Sequence, residues 1–304
     1  MKDDRIRVQV DGRELEVSNL DKVLFPAVGF TKGEVIDYYT RVSEVLLPHL
    51  RDRALTRIRY PNGVDGQFFF EKNAPGGTPD WVRLETLPVP GSSKDRETLD
   101  FVIADDLPTL VWLANLAALE LHTPQWRIGE DPDLMVVDLD PGAPAGLTEC
   151  CEVALMLRER LAQDGLDAYP KTSGKKGMQL SCPIAGTSPA DDVSGYAKRI
   201  AEELERRSPR TVTSKMAKRL RPGKIFIDWS QNNAAKTTVA PYSMRAQPVP
   251  TVSTPLTWDE VEAAAAGEAG AVRQFRTDEV LSRIEEYGDL LEDLLTPGPD
   301  LPER

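Results

Sequence analysis

Histidine is nearly absent: His49 and His122 are the only two in 304 residues. That argues against zinc and other multi-histidine centres. Cysteine is scarce as well. Cys150, Cys151 and Cys182 are odd in number, two are adjacent, and no CxxC spacing occurs. Neither a disulfide framework nor a structural zinc site is expected, and a reduced, cytoplasmic protein fits best. No apolar run approaches a membrane span, and "MKDDRIRVQV" lacks the apolar stretch of a secretory signal. The G-x-x-x-x-G-K-[ST] phosphate loop is missing. Positive charge is short too: 37 Lys and Arg face 49 Asp and Glu, a net charge of −12. Taken alone this disfavours a nucleic-acid binder, whose backbone contacts need Lys and Arg.

The average conceals a local reversal. Arg206, Arg207, Arg210, Lys215, Lys218, Arg219, Arg221 and Lys224 follow one another without an acid, whereas "RIEEYGDLLEDLL" near the C-terminus is acidic. With 40% apolar and 28% charged residues the chain has ample material for a core, as one large unit or two modest ones.

Local patterns alternate between strand and helix. "RVQVDGRELEV" reads as a hairpin turning at Asp11-Gly12. Thr31 and Glu34 stand at capping-box spacing before a helix expected over about Lys32–Leu47. "ALTRIRY" and "GQFFFEK" are strand candidates; 73–80 and 88–95 are loops. "DLPTLVWLANLAALEL" reads as a helix that "LELHTPQW" leaves toward strand or loop. "DLMVVDLDP" is a strand stopped by Pro141-Gly142, and the next helix ends at Gly165. "DAYPKTSGKKGMQLSCPI" is strand, turn, strand; "DDVSGYAKRIAEELERR" a helix; "KIFIDWSQN" and "TTVAPYSMRA" strands. From about 246 a Pro- and Thr-rich stretch leads to a helical tail from about Asp259. The expected fold is α+β, a single domain over 1–304 with an N-terminal hairpin to about 20, a catalytic body over about 21–245, and the tail beyond.

Six features carry chemistry. Asp138 and Asp140 end an apolar strand two residues apart, on one face; converging carboxylates repel unless a cation sits between them, and oxygen donors suit Mg²⁺ or Mn²⁺. Asp228 ends a second apolar strand and is a candidate third ligand. The turn Ser173-Gly174-Lys175-Lys176-Gly177 offers backbone N–H groups and charge to an anion. The basic stretch, with Arg245 beyond it, suits a triphosphate or a nucleic-acid backbone. Phe68, Phe69 and Phe70 cannot all face the core, and an outward ring can stack on a base. His122 could donate to a phosphate or ribose oxygen. Each feature alone has an ordinary explanation: a solvated strand end, a hairpin turn, a basic surface, packing between lobes, a structural histidine.

Together and in this order, "LELHTPQW", "VVDLDPG", the Ser-Gly-x-Lys-Gly turn, "FIDWSQN" and "APYSMR" resemble the polymerase domain of bacterial DNA ligase D, in the archaeo-eukaryotic primase superfamily. The resemblance runs from "NLDKVLFP" to "GDLLEDL". It implies a two-lobed fold with an RRM-like antiparallel catalytic sheet flanked by helices, and template-directed nucleotidyl transfer filling gaps and processing ends in break repair. By that resemblance Asp138, Asp140 and Asp228 hold two divalent cations, Mn²⁺ in preference to Mg²⁺. His122, Ser173, Lys176, Lys218, Arg221, Gln231 and Arg245 contact the incoming nucleotide. Asn19, Lys22 and Lys32 recognise a 5′-phosphate on DNA, and Phe69 and Phe70 stack at a break or gap. Gln179 departs from the family's usual histidine; it can still hydrogen-bond a phosphate but cannot be charged. Ribonucleotides are the expected substrates. A Ku-type end-binding protein and an ATP-dependent DNA ligase are the implied protein partners, with no membrane partner and a monomeric, nucleoid-associated chain. No ligase or nuclease segment occurs in the 304 residues, and the Met1 start reads as a stand-alone member. Two other classes remain at this level: a metal-dependent phosphotransferase that does not polymerise, and a non-catalytic DNA-end-binding module.

Overall fold

The Asp11-Gly12 turn does what the flanking alternation requires. β1 (Arg5–Val10) pairs antiparallel with β2 (Arg13–Ser18), with Val10 opposite Arg13. Both turn residues have positive φ, 45° and 78°, the mirror-image turn whose twist matches that of the strands. The computed structural model describes residues 5–89 and 97–302. A short pair, β3 (Val23–Phe25) and β4 (Phe30–Thr31), leads into α1 (Lys32–Arg41), where Thr31 and Glu34 close the expected capping box.

The single helix expected to Leu47 is interrupted. α2 (Ser43–Leu50) begins after Val42, a fully buried residue with ψ of 0° that belongs to neither helix. The buried stripe Val35, Tyr38, Tyr39, Leu46, His49, Leu50 runs through both helices, which is why the pattern reads as one. Pro48 lies inside α2 and leaves the Glu44 carbonyl without its helical donor.

β5 (Thr56–Arg59) and β6 (Phe69–Glu71) are antiparallel neighbours. β7 (Leu84–Pro88) and β8 (Thr98–Val102) form a hairpin that the sequence does not signal; β7 is exposed or half-buried throughout, β8 is buried only at Phe101 and Val102, and Pro88 argues locally against a strand. Most of the loop expected over 88–95 lies outside the described residues. α3 (Leu107–Asn115), capped by Asp106, ends earlier than expected. Ala117 takes a φ of 57°, and the "ALELHT" end of the expected helix is β9 (Ala118–Thr123). The run is buried in both halves, and periodicity does not separate a buried helix from a buried strand.

β10 (Leu134–Pro141), α4 (Leu147–Gln163), β11 (Tyr169–Thr172), β12 (Met178–Pro183), α5 (Ala190–Arg207), β13 (Val212–Thr213) and β14 (Ile225–Asp228) build the second half. The strand expected through "KIFIDWSQN" stops at Asp228, and Trp229–Asn232 is a 3-10 turn capped by the Asp228 side chain. "TTVAPYSMRA" is two strands, β15 (Thr238–Val239) and β16 (Met244–Ala246), separated by Tyr242 at a φ of 62°. β17 (Pro250–Val252), α6 (Trp258–Ala265) and α7 (Thr277–Tyr287) complete the chain.

Two sheets organise these elements. One is five-stranded, in the order β11-β12-β10-β14-β13; the other is four-stranded, in the order β15-β9-β5-β6. Every pairing in them is antiparallel except the short edge pair of β13 with β14. α4 and α5 pack against β10, so the α+β class with helices flanking an antiparallel sheet is observed. One apolar cluster extends from Leu15 to Val280. The Pro- and Thr-rich stretch is part of the body: Val252, Ser253, Thr254 and Leu256 are buried, and the Thr172 N–H donates to Thr254 O at 2.8 Å. The tail is fastened by Asp289, which accepts from Tyr242 Oη at 2.7 Å and lies 2.8 Å from His49 Nε2. Among the described residues no helix is long and apolar enough to cross a membrane.

Candidate active site

β10 is paired on both edges where its two aspartates fall. Gln179 lies opposite Asp138 on β12, and Asp228 lies opposite Asp138 on β14. Lys171 on β11 lies opposite Gln179. Directly opposed residues share a face, so Lys171, Gln179, Asp138 and Asp228 form one row across four strands. Asp140, two residues from Asp138, projects from the same face. Asn232 secures the strand upstream: its side-chain amide accepts from Val136 N–H and donates to Val136 O, both at 2.8 Å. It replaces a strand partner where β14 has ended.

The three carboxylates are close enough to disturb one another. Burial, and then the charge of Asp140, push Asp138 up to about 7, with Asp228 adding to the effect. Asp140 is raised as well, by burial and by Asp228, against the opposing field of Arg221. Arg221 Nη1 is 3.7 Å from Asp140 Oδ2, and its guanidinium lies over Phe226, 3.7 Å from the ring centroid. Asp228 is drawn to its own turn. Its Oδ1 accepts from Ser230 N at 3.0 Å and Ser230 Oγ at 2.5 Å, and its Oδ2 from Gln231 Nε2 at 2.9 Å. Among the described residues, as the side chains stand, no three ligating groups converge on one point, and Asp228 is turned toward Ser230 and Gln231. The donor chemistry is nevertheless that of a hard divalent cation: three carboxylates, oxygen donors only, with repulsion that a cation relieves.

The cleft above the pair encloses about 350 Å³ and is lined by His122, Asp138, Asp140, Ser173, Lys175, Lys176, Gly177, Gln179, Gln231 and Arg245, among others. The Ser173–Gly177 turn is fixed tightly. Ser173 Oγ accepts from the Lys175 and Gly177 N–H groups at 3.3 and 3.2 Å. Gly174 has a φ of 71°, and a Cβ there would lie 2.4 Å from Arg245 Cγ; one at Gly177 would lie 2.0 Å from Leu139 O. Both positions require glycine for close approach. Gly142 at the strand exit is equally confined, 2.0 Å from Arg221 O by the same measure.

Glu120, which the sequence reading passed over, organises the cationic wall. It is fully buried and two residues from His122, on the same face of β9. His122 Nε2 lies 3.0 Å from its Oε2, Arg245 Nε 3.2 Å, and Lys175 Nζ 3.6 Å from its Oε1. Burial opposes the charge of Glu120, but the His122 hydrogen bond and the fields of Arg245, His122 and Lys175 outweigh it and hold the carboxyl at about 2. His122 moves the other way: burial, with Arg245 and Lys175, lowers it despite Glu120. A neutral imidazole beside an ionised carboxylate must use Nε2 as the donor, so the two shifts are compatible. Glu120, Lys171 and Asn232 are found through their partners in space; the only local sign of any of them is the i, i+2 spacing of Glu120 and His122.

The remaining expected residues lie elsewhere. Lys218 is on the exposed 3-10 turn Lys218–Leu220 and does not line the cleft. Lys22 Nζ donates to Asn62 Oδ1 at 3.0 Å and Lys32 Nζ to Ser18 O at 2.6 Å. Burial, and then Lys22, lower Lys32 to about 8. Asn19 takes a φ of 52° beside them. Phe68, Phe69 and Phe70 are all exposed. Phe70 lies opposite Ile58, which in turn lies opposite Glu120, so Phe70 faces the cleft side of its sheet and Phe69 the other. Phe70 also borders a larger, mainly apolar cavity of about 1080 Å³ with Trp126 and Phe101.

Residues 31–291 match the family model described as LigD, primase-polymerase domain. The multifunctional non-homologous end joining protein LigD of Mycolicibacterium smegmatis is 43% identical over 290 residues, covering 94% of this chain and 36% of that protein. The bifunctional protein of the same name from Bacillus subtilis is 33% identical over 277 residues, covering 90% of this chain and 43% of that one. The solved polymerase domain of Mycobacterium tuberculosis ligase D, in complex with DNA, superposes with a TM-score of 0.87 at 42% identity, covering 94% of this chain and 99% of that one. The chain thus spans little more than a third of the length of the first of these full-length relatives.

Proposed function

The chain belongs to the family of LigD primase-polymerase domains, and on that premise we propose that it adds nucleotides to a primer terminus at gaps and broken ends in DNA. The observation that carries this reading is the placement of Asp138 directly opposite Asp228, with Asp138 and Asp140 lining a cleft walled by the Ser173–Gly177 turn and Arg245.

Asp138, Asp140 and Asp228 are the residues that would hold two divalent cations, Mn²⁺ preferred over Mg²⁺. Bound there, such ions supply charge neutralisation for an in-line displacement at the α-phosphorus. The protein's own groups do the positioning. Arg245, Lys175 and Lys176 face the β and γ phosphates, and Arg221 stands beside Asp140 where negative charge gathers. Ser173 and Gln231 are the neutral donors; the single N–H of His122 is taken by Glu120, which leaves its other ring nitrogen as an acceptor suited to a ribose hydroxyl. Glu120 keeps the cationic groups extended into the cleft before substrate arrives, so less reorganisation is needed on binding. Gln179 and Lys218 complete the expected set of nucleotide contacts, Lys218 from the exposed turn.

The candidate contacts to the downstream DNA strand lie outside the cleft lining. Asn19, Lys22 and Lys32 form the candidate 5′-phosphate site, and the neighbouring ammonium groups at Lys22 and Lys32 suit a dianionic end. Phe69 and Phe70 offer rings to template bases. The relatives are named for non-homologous end joining; we extend that process, ribonucleotide preference, a Ku-type protein, an ATP-dependent ligase and a nucleoid setting to this chain. The test is extension of a gapped duplex with Mn²⁺, with and without a 5′-phosphate on the downstream strand. Extension that the phosphate stimulates supports the reading; no incorporation of either nucleotide type overturns it.

A further inference from the structure

Lys171 occupies the far end of the row that contains Asp138. It is 3% exposed, and it spends all three N–H groups: on Gln179 Oε1 at 2.6 Å, Ser253 Oγ at 2.7 Å and Val239 O at 3.0 Å. Ser253 Oγ in turn donates to Thr172 O at 3.0 Å, so its lone pairs are what face the amine. Burial, and then Arg245, lower Lys171 to about 7 against the field of Asp138, but three acceptors around one nitrogen call for an ammonium, because a neutral amine has only two hydrogens.

This arrangement decides which way the Gln179 amide points. With Oε1 held by the ammonium, its NH₂ is the end left for Asp138, directly opposite on β10. The reversed amide would set a carbonyl against a carboxylate and an NH₂ against an ammonium, two repulsive contacts in a low-dielectric row.

We propose that Lys171 is a positioning residue that locks the Gln179 amide, and that Gln179 in turn orients the Asp138 carboxylate for the divalent cations. Gln179 thereby serves the cation site as well as the nucleotide. A histidine can pass on the same polarity, accepting at one ring nitrogen and donating at the other, so glutamine and histidine are interchangeable at this position in a way alanine is not. The inference rests on the cation site proposed above. Outer partners of metal ligands typically change metal affinity by about 10- to 100-fold when removed.

The experiment is equilibrium Mn²⁺ binding to the whole chain without nucleotide or DNA, followed by the electron paramagnetic resonance signal of free Mn²⁺. Asp138→Ala serves as the reference, and urea unfolding confirms that each variant is folded. Lys171→Met and Gln179→Ala are each expected to raise the Mn²⁺ Kd about 10-fold. The double variant should be no worse than the weaker single variant, because both break one chain of contacts. Gln179→His should stay within about 3-fold of the parent; this arm and Gln179→Ala carry the test if Lys171→Met does not fold. Unchanged binding in Gln179→Ala, or effects that multiply in the double variant, overturn the inference. Loss of binding in Asp138→Ala with retention in Lys171→Met and Gln179→Ala overturns it alone. Retention in Asp138→Ala overturns the cation site and this inference with it.

Discussion

Asp138 on β10 and Asp228 on β14 are direct cross-strand partners, a placement where two like charges on one face destabilise a sheet. The protein tolerates the pair at a cost to its own folding, as functional sites commonly do.

That cost has a pH signature. The folded-state pKa of Asp138 is raised from 3.8 to about 7 by burial, Asp140 and Asp228. Between those values the folded chain holds a proton that the unfolded chain has released, so this group's contribution to stability falls as pH rises and stays low above 7. In chelator at pH 8, Asp138→Asn is expected to melt higher than the parent by about 2 °C or more, with the difference vanishing near pH 4. Added Mn²⁺ should raise the parent's melting temperature and not the variant's. A variant that melts lower at pH 8 contradicts the account.

Glu120 works in the opposite direction. Its carboxyl is held at about 2, so its contribution is complete above the ordinary glutamate range and lost as pH falls toward 2. Glu120→Ala strands Arg245 and Lys175 and is expected to cost about 3–5 kcal/mol in urea unfolding at pH 7. The isosteric Glu120→Gln should cost less, and its nucleotide KM should rise about 10-fold or more while its affinity for gapped DNA is retained. Equal losses of both affinities would contradict a role confined to the cleft.

The glycines of the turn are constrained by contact as well as conformation. Gly177→Ala places a methyl group against Leu139 O, on the strand that carries Asp138 and Asp140. Overpacking of this kind costs about 1–3 kcal/mol, and nucleotide affinity should fall with it. Gly76→Ala, where a Cβ meets nothing within 4 Å, should be neutral in the same urea titration.

DNA binding should depend steeply on salt despite the net charge of −12, because it relies on a few localised cations. With three or four phosphate contacts, affinity for a gapped duplex falls roughly 40- to 150-fold between 50 and 200 mM salt. Lys22→Ala should lower the slope by about one only when the downstream 5′-phosphate is present, measured by fluorescence anisotropy. An unchanged slope would place the phosphate elsewhere.

Much of this was legible in the chain because its cause is local. The Asp11-Gly12 turn, the Thr31–Glu34 capping box, the aspartates at the end of an apolar strand and the glycine turn each follow from neighbouring residues. What was hidden depends on distant partners. Ala118–Thr123 is a strand because β5 and β15 flank it, although its apolar run continues a helix. The 250–256 stretch has the composition of a linker and is buried because Lys171 and Thr172 bond to it. Glu120 and Lys171 look like ordinary surface charges until the sheets close around them. Lys218 shows the converse: motif order marks it for the nucleotide, and a local 3-10 turn sets it on the surface beside the cleft lining and not in it.

The most direct test of the central claim is the single-turnover rate of nucleotide addition to a gapped duplex by the parent and by Asp138→Ala, at saturating Mn²⁺ and nucleotide. The account predicts rapid addition by the parent and a loss of about 100- to 1000-fold in the variant, of the order seen when a principal stabiliser of transition-state charge is removed. Addition by Asp138→Ala at the parent rate would contradict it.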